Sequence, residues 1–379
     1  MIDDRVKTLY WTLLRAALWQ SDAEPPVVED AATAEALVRL HAQQGTGALV
    51  YPVMFNMPNV QEVLNEGYRT QMRGLCMQTM QQHVRLQHTL ECAWRALMKA
   101  GLQPVLMKGA GLAALYPEPQ LRSWGDIDLF VGKKQYHPAC AVMRETFPKA
   151  LKFDEELDHY KHYNLIADEV SIEVHRVTVG LQHPIDVRRY ERMEAYGVEH
   201  ACDLEIGDLR LKIFEPTFNA LFVMLHAWEH GMTKGANVRQ IADLTLLLDR
   251  YTKRIDRTLL RRWLNQLHLM DVWQIYMWIA VERLGLPASE APFYDNGEGL
   301  KVRGERFIQD MLSGALVPYT IHHTPYTSNR FARKWHTMQE RLQNARRIAQ
   351  YSPAYARHMK METLLHGALR LFAKDRHWE

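Results

Sequence analysis

Asp126 and Asp128 stand one residue apart in the run Asp126-Ile127-Asp128-Leu129-Phe130-Val131. A strand alternates its faces, so the two carboxylates share one face while Ile127 and Leu129 take the other. Two like charges side by side repel each other and resist burial. A divalent cation neutralises both, and Mg²⁺ (or Mn²⁺) favours carboxylate oxygen together with phosphate oxygen. The segment just upstream supplies the phosphate half. Gln103–Met107 suits a strand, Lys108-Gly109-Ala110-Gly111 follows as a glycine turn, and Leu112–Leu115 suits a short helix ending before Pro117. Such a turn presents backbone N–H groups to an anion, and Lys108 adds a mobile positive charge. Paired carboxylates beside it fit divalent cations held against a triphosphate.

A third acid has the same layout. In Ser171-Ile172-Glu173-Val174-His175-Arg176-Val177, Ile172 and Val174 fall on one face and Ser171, Glu173 and His175 on the other. A different chemistry is written at His226-Ala227-Trp228-Glu229-His230, the H-x-x-E-H pattern of inverted zinc peptidases, with both histidines on one helix face. That site needs a third ligand from further along, Glu282 or Asp243, and Glu229 as base. The competing structural reading has His226 and His230 lining the junction between helices and an α/β core. Thr320–Glu379 carries eleven Lys or Arg against four acidic residues, with Phe331, Trp335, Tyr351 and Tyr355 interspersed. That mixture fits RNA or another polyanion, and equally fits helices that expose arginine and bury their aromatics.

These residues need elements to hold them. A chain of 379 residues is long enough for two or three structural units, and 47% hydrophobic residues support a substantial core. A net charge of +2 singles out neither nucleic acid nor an anionic membrane as partner. Cys76, Cys92, Cys140 and Cys202 lie far apart and form no CxxC, which suits reduced thiols of a cytoplasmic protein. Met1–Lys7 is acidic and polar, unlike a secretory signal, and the apolar runs fall short of a membrane span. The expected location is the cytoplasm, with no membrane partner. Residues 1–100 read as helices, including one long proline-free helix over Val60–Ala100 closed by Gly101. Residues 101–214 shift to short β-rich runs at Pro104–Met107, Ile127–Val131, His162–Ala167, Val170–Val177 and Leu209–Phe214, with hairpin turns at Asp168-Glu169 and Gly207-Asp208. Residues 215–379 return to helix from Pro216, interrupted by turns over Pro287–Gly299 and a loop over Pro318–Asn329. The expected class is α+β, a mixed sheet with helices flanked by N- and C-terminal helical regions.

The arrangement K-G-x-x-L-x-x-x-Y at Lys108–Tyr116, then R-S-x-x-D-I-D-L at Arg122–Leu129, resembles the nucleotidyltransferases of the DNA polymerase β superfamily. More narrowly it is similar to the bacterial uncharacterised nucleotidyltransferase family, and more distantly to nucleotidyltransferase toxins of abortive-infection systems. The resemblance implies a polymerase β-like core, with Gly109 at the phosphate-binding glycine, although the usual Gly-Ser dipeptide is here Gly-Ala. It implies Asp126 and Asp128 as the metal pair and Glu173, from the I-E-V-H run, as third ligand or as base. Lys108, Arg122 and Ser123 are then expected near the nucleotide. His175, and His226, His230, Arg239 and Asp243 from the H-x-x-x-H and R-x-x-x-D segments, are expected around the site. The implied activity is Mg²⁺-dependent transfer of a nucleoside monophosphate from an NTP to a small molecule, protein or RNA, releasing pyrophosphate. Two alternatives stand beside it: a pseudoenzyme that binds nucleotide or RNA without turnover, and a zinc hydrolase at H-x-x-E-H.

Overall fold

A computed structural model of the chain describes residues 2–20, 26–57, 59–153, 157, 159–181, 184–233, 235–316 and 330–372. Helices open it: α1 (Asp4–Trp19), α2 (Ala31–Gln43), α3 (Gly47–Phe55), α4 (Val60–Val63) and the long α5 (Glu66–Lys99). The next stretch holds β1 (Val105–Met107), α6 (Gly109–Ala113), β2 (Asp126–Phe130), α7 (Gly132–Thr146) and β3 (Leu151–Lys152). It continues with β4 (His162–Ala167), β5 (Val170–His175), α8 (Pro184–Glu199), β6 (Cys202–Ile206) and β7 (Leu209–Ile213). Among the described residues, seven helices follow. They are α9 (Pro216–Thr233), α10 (Val238–Tyr251), α11 (Arg257–Gln266), α12 (Met270–Glu282), α13 (Glu298–Leu312), α14 (Arg330–Ile348) and α15 (Pro353–Phe372). The loop expected over Pro318–Asn329 lies outside the described residues.

Local chemistry sets most of these boundaries. The side chains of Asp30, Asn65, Asn237 and Asp256 accept backbone N–H bonds in the first turns of α2, α5, α10 and α11. The single helix expected over Val60–Ala100 is two helices, because Leu64 is extended (ψ 131°) and Asn65 caps a fresh start. Gly101, at φ 75°, closes α5. Asp168 and Glu169 both take positive φ (48° and 65°), which turns β4 back into β5. The hairpin around Gly207-Asp208 takes Cys202–Ile206 as its other strand. α8 and β3 add to the sequence expectation. The buried stripe of α8 (Tyr190, Met193, Gly197) is narrow and set among charges, too weak a period to read locally.

Among the described residues, seven strands form one mixed sheet in the order β3-β4-β5-β2-β1-β7-β6. β2 lies at its centre, antiparallel to β1 and parallel to β5. One face, through Leu106, Ile127, Leu129, Ile172 and Val174, packs on Leu90 and Trp94 of α5 and Tyr136 and Met143 of α7. The other face, through Met107 and Phe130, joins a larger cluster that includes Leu13 of α1, Trp228 of α9 and Ile279 of α12. The N- and C-terminal helices therefore share a core with the sheet. Asp126, Asp128 and Glu173 stand on this second face, toward α9. Among the described residues, no helix is long and apolar enough to cross a membrane.

Candidate active site

The turn after β1 is strained at its first residue. Lys108 sits at φ 46°, a region that costs a non-glycine residue about 1–3 kcal/mol. Gly109 follows at φ 42°, and a Cβ there would meet Trp124 Cε3 at 3.0 Å. The indole is pinned, since Trp124 Nε1 donates to His83 Nδ1 at 3.0 Å. Glycine is thus required both by conformation and by space. The turn aims Lys108 across the sheet, where Nζ lies 3.1 Å from Asp128 Oδ2 and 3.3 Å from His226 Nε2.

The strand pairing assembles the acids. Met107 of β1 pairs with Asp128, and on the other side Asp128 pairs with Glu173 of β5. Carboxylate oxygens of Asp126, Asp128 and Glu173 lie within 4.8 Å of one another. His175 joins from the same face, with Nε2 2.9 Å from Asp128 Oδ1 and 3.1 Å from Glu173 Oε2. His162 of β4 places Nδ1 3.7 Å from Glu173 Oε2.

Charge is unevenly shared among these groups. The Asp128 charge and burial push the Asp126 carboxyl up to about 6. Asp128 is fully buried, and burial alone would raise it, yet Lys108 and the His175 hydrogen bond hold it well below the usual carboxylate range. Burial likewise opposes the charge on Glu173, but His175 keeps its carboxyl below the ordinary value. His175 is buried, which disfavours its charge, and its two carboxylate partners more than offset that. Burial and the neighbouring Lys108 push His226 well down, so its neutral ring accepts from the ammonium. Asp128 Oδ2 is buried and, despite the ion pair, accepts no well-aligned hydrogen bond. Three crowded carboxylates with one such oxygen fit a divalent cation of the Mg²⁺ or Mn²⁺ type. Asp126, Asp128 and Glu173 would hold it.

The residues expected around this core from the resemblance hold the turn and the strand that carry the acids. Arg122 is 2% exposed, and Nε and Nη2 each meet Asp243 at 2.7 Å while Nη1 donates to Gly109 O at 3.2 Å. The guanidinium braces the glycine turn from behind and has no exposed face to offer a nucleotide. Tyr116 OH adds a 2.7 Å bond to the same Asp243 carboxylate. Arg239 Nη1 donates to Ser123 O at 2.9 Å, and Ser123 Oγ is 3.5 Å from Gly45 O. Arg239 and Asp243 of α10 therefore anchor the segment leading into β2. The ring of His230 lies 4.3 Å from that of His226, tilted by 56°.

Among the described residues, neither third ligand expected for the H-x-x-E-H motif is available to it. Asp243 is taken up by Arg122, and Glu282 accepts from Tyr294 OH. Among the described residues, no group with metal-holding geometry includes His226 or His230. Of the C-terminal aromatics, Tyr351 is buried in the core while Trp335 is exposed. Sequence reasoning missed His162 and Trp124. His162 opens a strand already expected, and its alternation with Asn164 was the available signal. Trp124, between Ser123 and Gly125, had none.

With this geometry in place, residues 30–285 match the family model described as "Uncharacterised nucleotidyltransferase". No curated protein and no solved structure matches the chain. The matched span takes in β1 through α12, including the glycine turn, all three carboxylates and the Arg122–Asp243 brace. The chain belongs to the uncharacterised nucleotidyltransferase family.

Proposed function

We propose that this protein binds an NTP with Mg²⁺ (or Mn²⁺) and transfers its nucleoside monophosphate to an acceptor hydroxyl. The acceptor hydroxyl gives up its proton, with Glu173 as candidate base. Its oxygen forms a bond to the α-phosphorus, the bond from that phosphorus to the bridging oxygen breaks, and pyrophosphate leaves. One observation carries the reading: parallel pairing of β2 and β5 sets Glu173 beside Asp128, at the mouth of the Lys108-Gly109 turn. Asp126, Asp128 and Glu173 would hold the divalent cation, which would supply charge neutralisation for the phosphates and polarisation of the attacking oxygen. Lys108 meets the triphosphate when its charge is drawn from Asp128, and neutral His226 steadies the ammonium meanwhile. His175 orients Asp128 and Glu173 together. Catalysis then rests on positioning and charge neutralisation. The acceptor is a small molecule, a protein or RNA.

The binding-only reading has an observation of its own: Lys108 and His175 already satisfy much of Asp128. Two variants separate the readings. In wild type, NTP should raise Tm more with Mg²⁺ than with EDTA, through ligand linkage. Asp126→Asn combined with Asp128→Asn should erase that increment in a folded chain. Glu173→Gln should keep NTP binding within a few fold, yet lower pyrophosphate release in nucleotide-depleted extract by about a hundredfold, the scale of a lost catalytic group. An increment unchanged in the double variant would sink the metal assignment. Nucleotide binding without release by wild type in any extract would favour the binding module.

A further inference from the structure

Glu173 has a second set of neighbours that nucleotidyl transfer does not use. β4 runs antiparallel to β5 with His162 opposite His175 and Asn164 opposite Glu173. Cross-strand partners project from the same face, so Asn164 continues the row of Asp128 and Glu173, and His162, opposite His175, stands on that face beside it. The ring centroids of His162 and His175 are 4.9 Å apart. Glu173 Oε2 lies 3.1 Å from His175 Nε2 and 3.7 Å from His162 Nδ1, and one ligand atom from each of the three falls within 4.8 Å of the others. A tetrahedral shell with bonds of about 2.0–2.2 Å separates its ligand atoms by about 3.3–3.6 Å, so small side-chain adjustments close it. A second observation points the same way. His162 Nδ1 is buried without a hydrogen-bond partner, a condition that costs stability unless a ligand satisfies it.

We infer that His162, Glu173 and His175 form a second divalent-cation site, with nitrogen ligands, beside the oxygen-only cluster of Asp126, Asp128 and Glu173. Glu173 is shared between them. Two imidazoles and one carboxylate select Zn²⁺ or another late first-row dication over Mg²⁺, which prefers oxygen. Three protein ligands leave a fourth position open, as in sites that exchange water or substrate. The inference touches the transferase reading through Glu173 and His175, and zinc binding itself is read without nucleotide or turnover.

The full chain, stripped with EDTA, is titrated with Zn²⁺ against a chelating dye in excess Mg²⁺. One equivalent should bind. His162→Asn should weaken it by roughly tenfold or more, since even outer partners of a metal site are worth about 10–100-fold. Asp126→Asn should keep the zinc while losing the Mg²⁺-dependent response to nucleotide, so the two readings fail separately. The cluster of Asp186, His358 and Glu362 is the competing zinc site, and His358→Asn controls for it. Zinc retained by His162→Asn and lost by His358→Asn overturns the inference, as does no stoichiometric binding at all. Should His162→Asn not fold, carbethoxylation of wild type decides. Zn²⁺ should shield His162 while exposed His200 keeps reacting, and unchanged labelling of His162 overturns the site.

Discussion

Asp126 and Asp128 carry opposite burdens on one strand. Asp128 has Lys108 and His175 as partners, whereas Asp126 mainly feels the charge of Asp128 and is pushed up to about 6. A carboxyl whose folded pKa lies above its unfolded value favours folding only while protonated. Its contribution is complete below about pH 4 and is lost as pH rises through about 6. Asp126→Asn removes the repelled charge, so at about pH 7.5 it should stabilise the metal-free chain by about 1–3 kcal/mol. That advantage should fade toward pH 4. Denaturant unfolding of both proteins in EDTA across this range measures it. Parallel stability curves would mean that Asp126 is not repelled and that the three acids do not form a metal-starved cluster.

One buried ion pair holds the rear wall of the site together. β1 and α6 meet at the glycine turn, α10 approaches from the helical region, and Arg122 links them through Asp243 and Gly109 O. The pair is nearly fully buried, at 3% and 5% side-chain exposure, so removing one member leaves an unpaired interior charge. Asp243→Asn should therefore cost about 3–5 kcal/mol. Double substitution of Arg122→Met with Asp243→Leu should recover part of that loss, because it leaves no buried charge. Neither partner faces the nucleotide, so the double variant should keep measurable NTP binding where it folds. A cycle with additive losses would show that the two residues act independently and that α10 does not brace the turn.

At the scale of the molecule, the C-terminal helices are tied back to the sheet region by a titratable clasp. His358 of α15 bonds to Asp186 of α8 at 2.7 Å and to Glu362 at 2.8 Å, and its ring stacks on His268 at 4.1 Å. The Asp186 hydrogen bond, then that of Glu362, pushes the imidazole up to about 9. A histidine raised in the folded state stabilises fully below its unfolded value near 6.5 and loses that contribution as pH climbs through about 9. His358→Asn should lower Tm at about pH 6, and the gap from wild type should close by about pH 9.5. A gap independent of pH would assign the clasp to packing alone.

The parts that depend on near neighbours were legible from residue order alone. Alternation placed Asp126 with Asp128 against Ile127 and Leu129, and set Glu173 on the polar side of its strand. The glycine turn, the hairpin at Asp168-Glu169 and the helix start at Pro216 were legible because backbone preference is local. Tertiary structure decided which strands meet. β2 and β5 are parallel neighbours, although α7, β3 and β4 lie between them along the chain. No local period encodes that choice, because it depends on which apolar faces α5 and α7 cover together. The same holds for Arg122 and Asp243, which bond across 121 residues, and for His162. Its imidazole gains a role only when β4 folds against β5 and carries it to the carboxylate that β5 shares with β2.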